Sequence, residues 1–547
     1  MKFPLNSFPK RIAVYLLISL TLLLYVRVLG FNFVTWDDHA VIVHNPVVLS
    51  GFSSWEGIFD IGTNPRFMPL SWISFKTVTA LFGMDPAFFH ASNVLFHTIN
   101  TVLLYGILNW IINIRARESR KDTSTSESWA QQWLIISLVI FWAWHPLRVE
   151  PVAWSTALHY NVATFFLLGS LLSLLAYYQF NKLSAAVCSI TLLACSNATY
   201  PPAITWPLAI PFFWLILNSK GGNWRSLSSE FRTSIRACAP IFIPSLLISG
   251  AFLSLTLIGR FMGKSAWYSN DYAQAKTAIE TGVIERLLNG MYSGSGLVQR
   301  MFLPLELSPA WPPDKVLTVT IISTIIVFLV ICLFFFATLK RTALVSVCLV
   351  TIGITAVPVL GFTENSFYQP DRYAHILQLV MVVVLVSALP LKVINSFFSY
   401  KPVGRGITLI TLGLTLAALN IRQQGIWTNS YTLFNHLENV SWVKANEERL
   451  HQVQCLRARK LTADKYYTAA ASIYEPLLKQ NPNPYYVTYF ASINYMLMGN
   501  IERALELAED AARLDSRAEI VNLLHHLTLQ SKELAQPVGD STQPSKK

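Results

Sequence analysis

The sequence predicts an all-α integral membrane protein: a bundle of about eleven transmembrane helices followed by a helical tail. Three observations carry that reading. Of 547 residues, 53% are apolar and 13% charged, about half the charged share of a soluble domain. The apolar residues come in long runs, many near the roughly 20 residues a membrane helix needs. The cations gather in short clusters between those runs, which in a membrane chain signals orientation. The composition excludes a disordered chain, a collagen-like fibre and an ordinary cytosolic globule. The net charge of +12 does not point to nucleic acid, because its basic clusters flank apolar runs. Sixteen Trp and 21 Tyr suit a chain with many membrane–water interfaces.

The expected spans are Ile12–Leu29, Val94–Ile114, Gln132–Trp144, Val162–Phe180, Ala185–Cys195, Ala203–Leu217, Pro240–Ile258, Val316–Leu339, Ala343–Leu360, Ile376–Leu391 and Ile407–Leu419. The first follows Lys2, Lys10 and Arg11 and has no small-residue cleavage site, so it reads as an uncleaved span. With the N-terminus in the cytoplasm, the clusters Arg115–Lys121, Lys182, Lys220–Arg236, Lys340–Arg341 and Lys392–Arg405 all fall inside. The outer side then receives 31–93, 145–161, 196–202, 259–315, 361–375 and everything after Asn420. The six Cys form no CxxC or Cys/His cluster, so they read as small apolar residues.

Residues 1–420 thus form the membrane domain, with 31–93 its first outer loop, and 421–535 form a polar helical domain. The stretch Tyr467–Asn500 reads as a helix, a Pro-bearing turn and a second helix, and Tyr495–Ser516 continues with Ala and Leu at helical spacing. Such pairs have the length of tetratricopeptide repeats, roughly 34 residues each. A plain helical bundle is the alternative. Residues 536–547 read as a disordered tail. Asn439-Val440-Ser441 is a glycosylation triplet, of a kind that also arises by chance.

Three polar motifs fall on the outer side. Asp37 and Asp38 sit in "FVTWDDHAVIVHNP", where the chain leaves the first span. Ionisable groups at that depth are costly and suggest function. One of them would act as a general base, raised toward neutral pH by its like-charged neighbour and by partial burial. The alternative is a helix cap. His39 and His44 lie nearby but match no strong metal motif. The second motif, "WHPLRVEPVAWSTALHYN", places His145, Arg148, Glu150 and His159 around Trp154. Arg and His there suit a phosphate, or Arg148 and Glu150 form an ion pair. The third, "VPVLGFTENSFYQPDRYAHI", carries Glu364, Asp371, Arg372 and Tyr373 into a span. Arg372 suits a lipid phosphate, or an interfacial anchor beside Tyr373.

These motifs, together with "MPLSWISFKTVTALFGMDPAFFHASNVLFHTINTVLL" and "RQQGIWTNSYTLF", stand in the order seen in the transmembrane and tetratricopeptide-repeat proteins. Those resemble protein O-mannosyltransferases of the GT-C membrane glycosyltransferase fold. The resemblance covers nearly the whole chain. It implies inverting transfer of a sugar from a polyprenyl-phosphate donor to a protein or glycan acceptor outside the cytoplasm, with the repeats holding the acceptor. It implies Asp37 as base and Asp38 as its support or a metal ligand. A divalent ion at Asp37/Asp38 is thus compatible, with no cofactor fixed. Arg372 is the first choice for the donor phosphate, with His145, Arg148, His159 and Arg66 behind it, and Glu150, Asp371, Tyr373 and Glu364 in support. The sequence departs from the family at Ala157–Tyr160, at Cys195–Pro202 and at Met68-Pro69-Leu70, where charged residues are usual. A bacterial inner membrane with a periplasmic tail is the expected location. A lipid-linked-sugar transporter is disfavoured because the ionisable residues gather at one boundary and no paired halves appear. An inactive membrane-anchored scaffold is the remaining alternative.

Overall fold

The computed structural model describes residues 8–61, 67–118, 125–218, 224–262, 283–304, 306–309, 343–360, 371–389, 402–444, 447–480, 485–515 and 517–535. Among these there is no strand, and the chain divides into two compact units, 1–429 and 430–547.

The first unit is built from α1 (Phe8–Tyr25), α2 (Pro69–Phe82), α3 (Pro86–Glu118), α4 (Thr125–Ala143), α5 (Val149–Ala153), α6 (Leu158–Phe180), α7 (Leu183–Thr199), α8 (Trp206–Asn218), α9 (Trp224–Met262), α10 (Val283–Phe302), α11 (Ala343–Ala356), α12 (Ala374–Ala388) and α13 (Pro402–Gln424). Their ends follow local chemistry. Pro69 opens α2 and Pro86 opens α3, where the missing N–H costs nothing. The Asp85 carboxylate accepts from the Ala87 N–H at 2.9 Å, capping the start of α3. Gly83, with φ +73°, closes α2, in a conformation that favours glycine. Asn181, in the left-handed conformation, closes α6 and returns its N–H to Tyr177.

Among the described residues, six helical segments are long and apolar enough to cross a bilayer: Lys10–Gly30, Pro86–Ala116, Ser155–Phe180, Leu227–Gly259, Asp371–Ala388 and Gly406–Trp427. Gln131–Ala143 and Pro146–Ala153, bent by 51°, make a seventh if counted as one span. Leu183–Thr199, Trp206–Asn218 and Leu344–Val359 are shorter apolar helices. Every expected span within the described residues coincides with one of these helices; Val316–Leu339 lies outside them. The chain is therefore an all-α membrane helical bundle. Pro240 and Pro244 sit inside α9, which a membrane bundle tolerates because neighbouring groups serve the freed carbonyls.

Two regions expected only as outer connections are structured. The 31–93 region contributes α2 and the start of α3, sealed by a cluster of Ile42, Val48, Ile58, Trp72, Phe75, Val78, Phe89, Leu158 and Val162. The fully buried Lys76 ties this region down, donating to the Val47 carbonyl at 2.8 Å and to Ser50 Oγ at 2.6 Å. Within 259–315, residues 283–302 form α10. Its Leu297 and Met301 pack with Leu147, Leu307, Val359 and Leu377.

The second unit is a run of short helices: α14 (Ser430–Asn439), α15 (Glu447–Ala463), α16 (Tyr467–Leu478), α17 (Tyr485–Leu497), α18 (Ile501–Leu514) and α19 (Ala518–Ala535). Of the helix, Pro-bearing turn and second helix expected across 467–500, both helices are present as α16 and α17, and residues 481–484 between them lie outside the described residues. Gly499, at φ +82°, makes the turn between α17 and α18. Asn500 caps α18 by accepting from the Arg503 N–H at 3.1 Å. Small residues, Ala470 and Ala491 in one cluster and Ala504 and Ala508 in the next, let the helices approach closely.

Candidate active site

The segment joining the bent α4–α5 pair to α6 organises the site. Every residue from Trp144 to Thr164 is buried. Pro146 and Pro151 interrupt regular helix here, so the chain folds into short turns whose backbone and side chains meet several elements. Asn161 holds the segment, donating to Asn93 Oδ1 at 2.9 Å and to the Pro151 carbonyl at 2.7 Å.

Asp38 reaches this segment from the chain just beyond the first span. It is fully buried. Its Oδ1 accepts from the Thr156 N–H at 2.9 Å and from Thr156 Oγ1 at 2.6 Å, and its Oδ2 accepts from the Val34 N–H at 2.9 Å. Burial pushes this carboxyl up to about 7, the hydrogen bonds pull it down, and the neighbouring Asp37 adds a smaller upward push. Both effects expected from the sequence are present, with burial the larger. Asp37 is half-buried and directly precedes it. The pair is thus split in role: Asp38 is clamped by three hydrogen bonds, while Asp37 is the more accessible acid. The His39 and His44 rings lie 5.7 Å apart, and among the described residues no three His, Cys, Asp or Glu side chains converge as metal ligands.

Arg372 reaches the same segment from the turn before α12. Its Nη1 donates to Glu150 Oε1 at 2.5 Å and its backbone N–H to Glu150 Oε2 at 2.8 Å. Its Nε donates to Tyr160 Oη at 3.1 Å, and its guanidinium lies 4.8 Å from the centre of the Trp154 ring. Trp154 stands two residues before Thr156. Asp38 and Arg372 are therefore held by one stretch of chain, 150–160, at one end of α6. Asp371, next in sequence, pairs with Arg300 at 2.9 Å and accepts from the Ser308 N–H at 2.5 Å. Consecutive residues thus make two buried ion pairs to different elements.

The remaining expected residues divide. His159 lies in an aromatic cluster, its ring 4.6 Å from those of both Tyr160 and Tyr200, whose hydroxyls are 2.8 Å apart. That cluster joins two of the departures noted in the sequence, 157–160 and 195–202. Tyr373 is half-buried with its ring 5.7 Å from the Arg372 guanidinium. Arg148 points elsewhere: fully buried, it donates to His375 Nδ1 at 2.8 Å and Gln378 Oε1 at 3.0 Å on α12. His145 has both ring nitrogens in use, Nδ1 accepting from the Leu147 N–H at 3.2 Å and Nε2 meeting the Met301 carbonyl at 3.1 Å. It secures the turn rather than offering a nitrogen to a ligand. Arg66 and Glu364 lie outside the described residues. Sequence reading missed Thr156, Tyr160, Tyr200 and Arg300.

The fold and these buried ion pairs define a multi-pass, all-α membrane protein with an acid–guanidinium site at one end of its bundle. No protein-family model matches the chain. It is similar to the human protein O-mannosyl-transferase TMTC1, with 27% identity over 215 residues, 37% of this chain and 20% of that protein. The chain thus matches about a fifth of that relative's length.

Proposed function

We propose that this chain is a membrane glycosyltransferase that passes a sugar from a polyprenyl-phosphate donor to a hydroxyl on a protein or glycan. The observation that carries the reading is the placement of Asp38 and Arg372 on one buried stretch of chain, at Thr156 and Trp154. The similarity to a protein named as an O-mannosyl-transferase supports the same class. In this mechanism the Asp37 carboxylate takes the proton of the attacking hydroxyl. The hydroxyl oxygen bonds to the anomeric carbon from the face opposite the phosphate. The carbon–oxygen bond to phosphate breaks, its electron pair leaves with the phosphate, and the anomeric configuration inverts. Asp38 orients the loop that carries Asp37 through Thr156 and Val34. Arg372, held by Glu150 and Tyr160, supplies positive charge to the departing phosphate.

The site would face the periplasm in a bacterial inner membrane, with the helical tail, read as tetratricopeptide-like repeats, gathering the acceptor on that side. Transfer of a radiolabelled sugar from a polyprenyl-phosphate donor to endogenous acceptors in membranes tests the proposal. Asp37→Asn is expected to lower the rate by about 10²–10⁴-fold, the usual contribution of a general base, with the protein still correctly folded. Unchanged transfer by this variant would overturn Asp37 as the base, and equal transfer by membranes lacking the chain would overturn the enzyme reading and favour a scaffold.

A further inference from the structure

The stretch 46–88 has the sequence of a connection, yet it carries four large rings on its surface. Phe52 and the 55% exposed Trp55 stack with ring centres 6.0 Å apart. Phe88 and the 50% exposed Phe82 stack at 4.3 Å, almost parallel. The two pairs flank one contact: Gly51 backs onto Ala80, so closely that a Cβ at position 51 would lie 3.4 Å from the Ala80 Cβ. The reason for the exposure lies in α2. Its Trp72, Phe75 and Val78 bury against Leu158 and Val162 at the start of α6. The helix then runs a turn past that support, leaving Leu81 and Phe82 exposed before Gly83 closes it. Four such rings in one neighbourhood are unfavourable in water and mark a contact surface.

Their level along the bundle says what covers them. Phe88 lies in the first turn of α3, within the segment Pro86–Ala116 that is long and apolar enough to span. Counted from Ile114, the last apolar residue before Arg115, Leu95 is 19 residues away and Phe88 is 26. At helical rise these are about 29 Å and about 39 Å. The hydrocarbon core is roughly 30 Å thick, and roughly 40–45 Å with its headgroup layers. Leu95, exposed two turns along the same face of α3, therefore meets acyl chains, while Phe88 and its stacked partner Phe82 meet headgroups. That is the layer in which aromatic side chains gather. Charge does not draw this region to the membrane. Among its described residues the one Lys or Arg, Lys76, is buried, while Glu56, Asp60 and Asp85 are exposed. We infer that 46–88 is an interfacial element whose surface rings insert among the lipid headgroups on the Asp38 side of the membrane, by apolar burial rather than by attraction to anionic lipid. Ile42 and Val48 follow Asp38 in the chain and share the cluster that supports α2, so the acid pair is moored to the same layer.

The membrane depth of single spin labels tests this on the full chain. Phe52→Cys, Trp55→Cys, Phe82→Cys and Phe88→Cys are labelled in a cysteine-free background and reconstituted in phosphatidylcholine vesicles, with and without added phosphatidylglycerol. Leu95→Cys serves as the lipid reference and Tyr466→Cys, exposed in the tail, as the water reference. Power saturation reads collisions with dissolved oxygen and with a water-soluble nickel chelate. At the four ring positions the oxygen-to-nickel ratio should fall between the references, several-fold above that of Tyr466→Cys, and be equal in the two kinds of vesicle. A ratio equal to that of Tyr466→Cys at either pair overturns the inference. So does exclusion of both reagents, which would mark a protein partner or a second copy on this surface. A depth that appears only with the anionic lipid overturns it as well. Each variant is read by itself, so one that fails to fold leaves the others to decide.

Discussion

The ion pairs of the membrane unit and those of the tail are chemically alike and physically opposite. In the tail, Arg503–Glu506 is 2.6 Å long, with the two side chains 32% and 60% exposed. In the membrane unit, Arg372–Glu150 is 2.5 Å long, with side chains 15% and 4% exposed. Water and salt screen the first, which contributes at most a fraction of a kcal/mol. The second has been taken out of water at considerable cost, so removing either partner leaves an uncompensated buried charge. The lesson is where to look for function. Tail pairs decorate helices that small residues already hold together, whereas the buried pairs fix the positions of groups that a hydrophobic bundle would otherwise not admit.

The sharpest way to break this contrast is Glu150→Ala. It should destabilise the membrane unit by about 3–5 kcal/mol, the cost of orphaning a buried partner, and abolish transfer, as read by thermal unfolding in detergent and by the transfer assay. A loss within 1 kcal/mol would mean that Arg372 is solvated without Glu150. Asp38 offers a smaller effect with a definite sign. Its folded-state value is about 7 against 3.8 unfolded. The stabilisation from its bound proton is therefore fully present below about 3.8 and is lost as pH rises through 7. The wild type should melt at lower temperature at pH 8 than at pH 5, and Asp38→Asn should flatten that difference. An unchanged slope would place the proton elsewhere. Gly499→Ala, which forces a side chain into a left-handed turn, should cost the tail about 1 kcal/mol by chemical denaturation. Arg503→Ala should cost it at most about 0.5 kcal/mol; a cost as large as that of Glu150→Ala would erase the contrast between the two units.

Much of this was legible because ionisable residues between apolar runs are conspicuous. Asp37, Asp38, Glu150 and Arg372 all stand out in that way, as do the helix pairs of the tail. The partners did not. Thr156 lies 118 residues from Asp38, and Glu150 lies 222 residues from Arg372. A threonine in a Trp-Ser-Thr run carries no sign that a carboxylate will arrive from so far away. Arg300 was hidden because α10 is amphipathic rather than uniformly apolar and so read as part of a long connection. Arg148 shows the opposite failure. Its charge attracted a phosphate role, whereas the fold gives it two neutral partners on α12, a matter of helix packing that no local pattern encodes.

The central claim is that the acid pair and Arg372 work at one membrane surface, with the opposite end of α6 at the other. Single cysteines in a cysteine-free background test it directly, introduced by Thr35→Cys, Tyr373→Cys and Lys182→Cys and labelled in sealed cells with a membrane-impermeant maleimide. The account predicts labelling at positions 35 and 373 from the outside, and at 182 only after the membrane is opened. Labelling of 35 and 373 from opposite sides would contradict it.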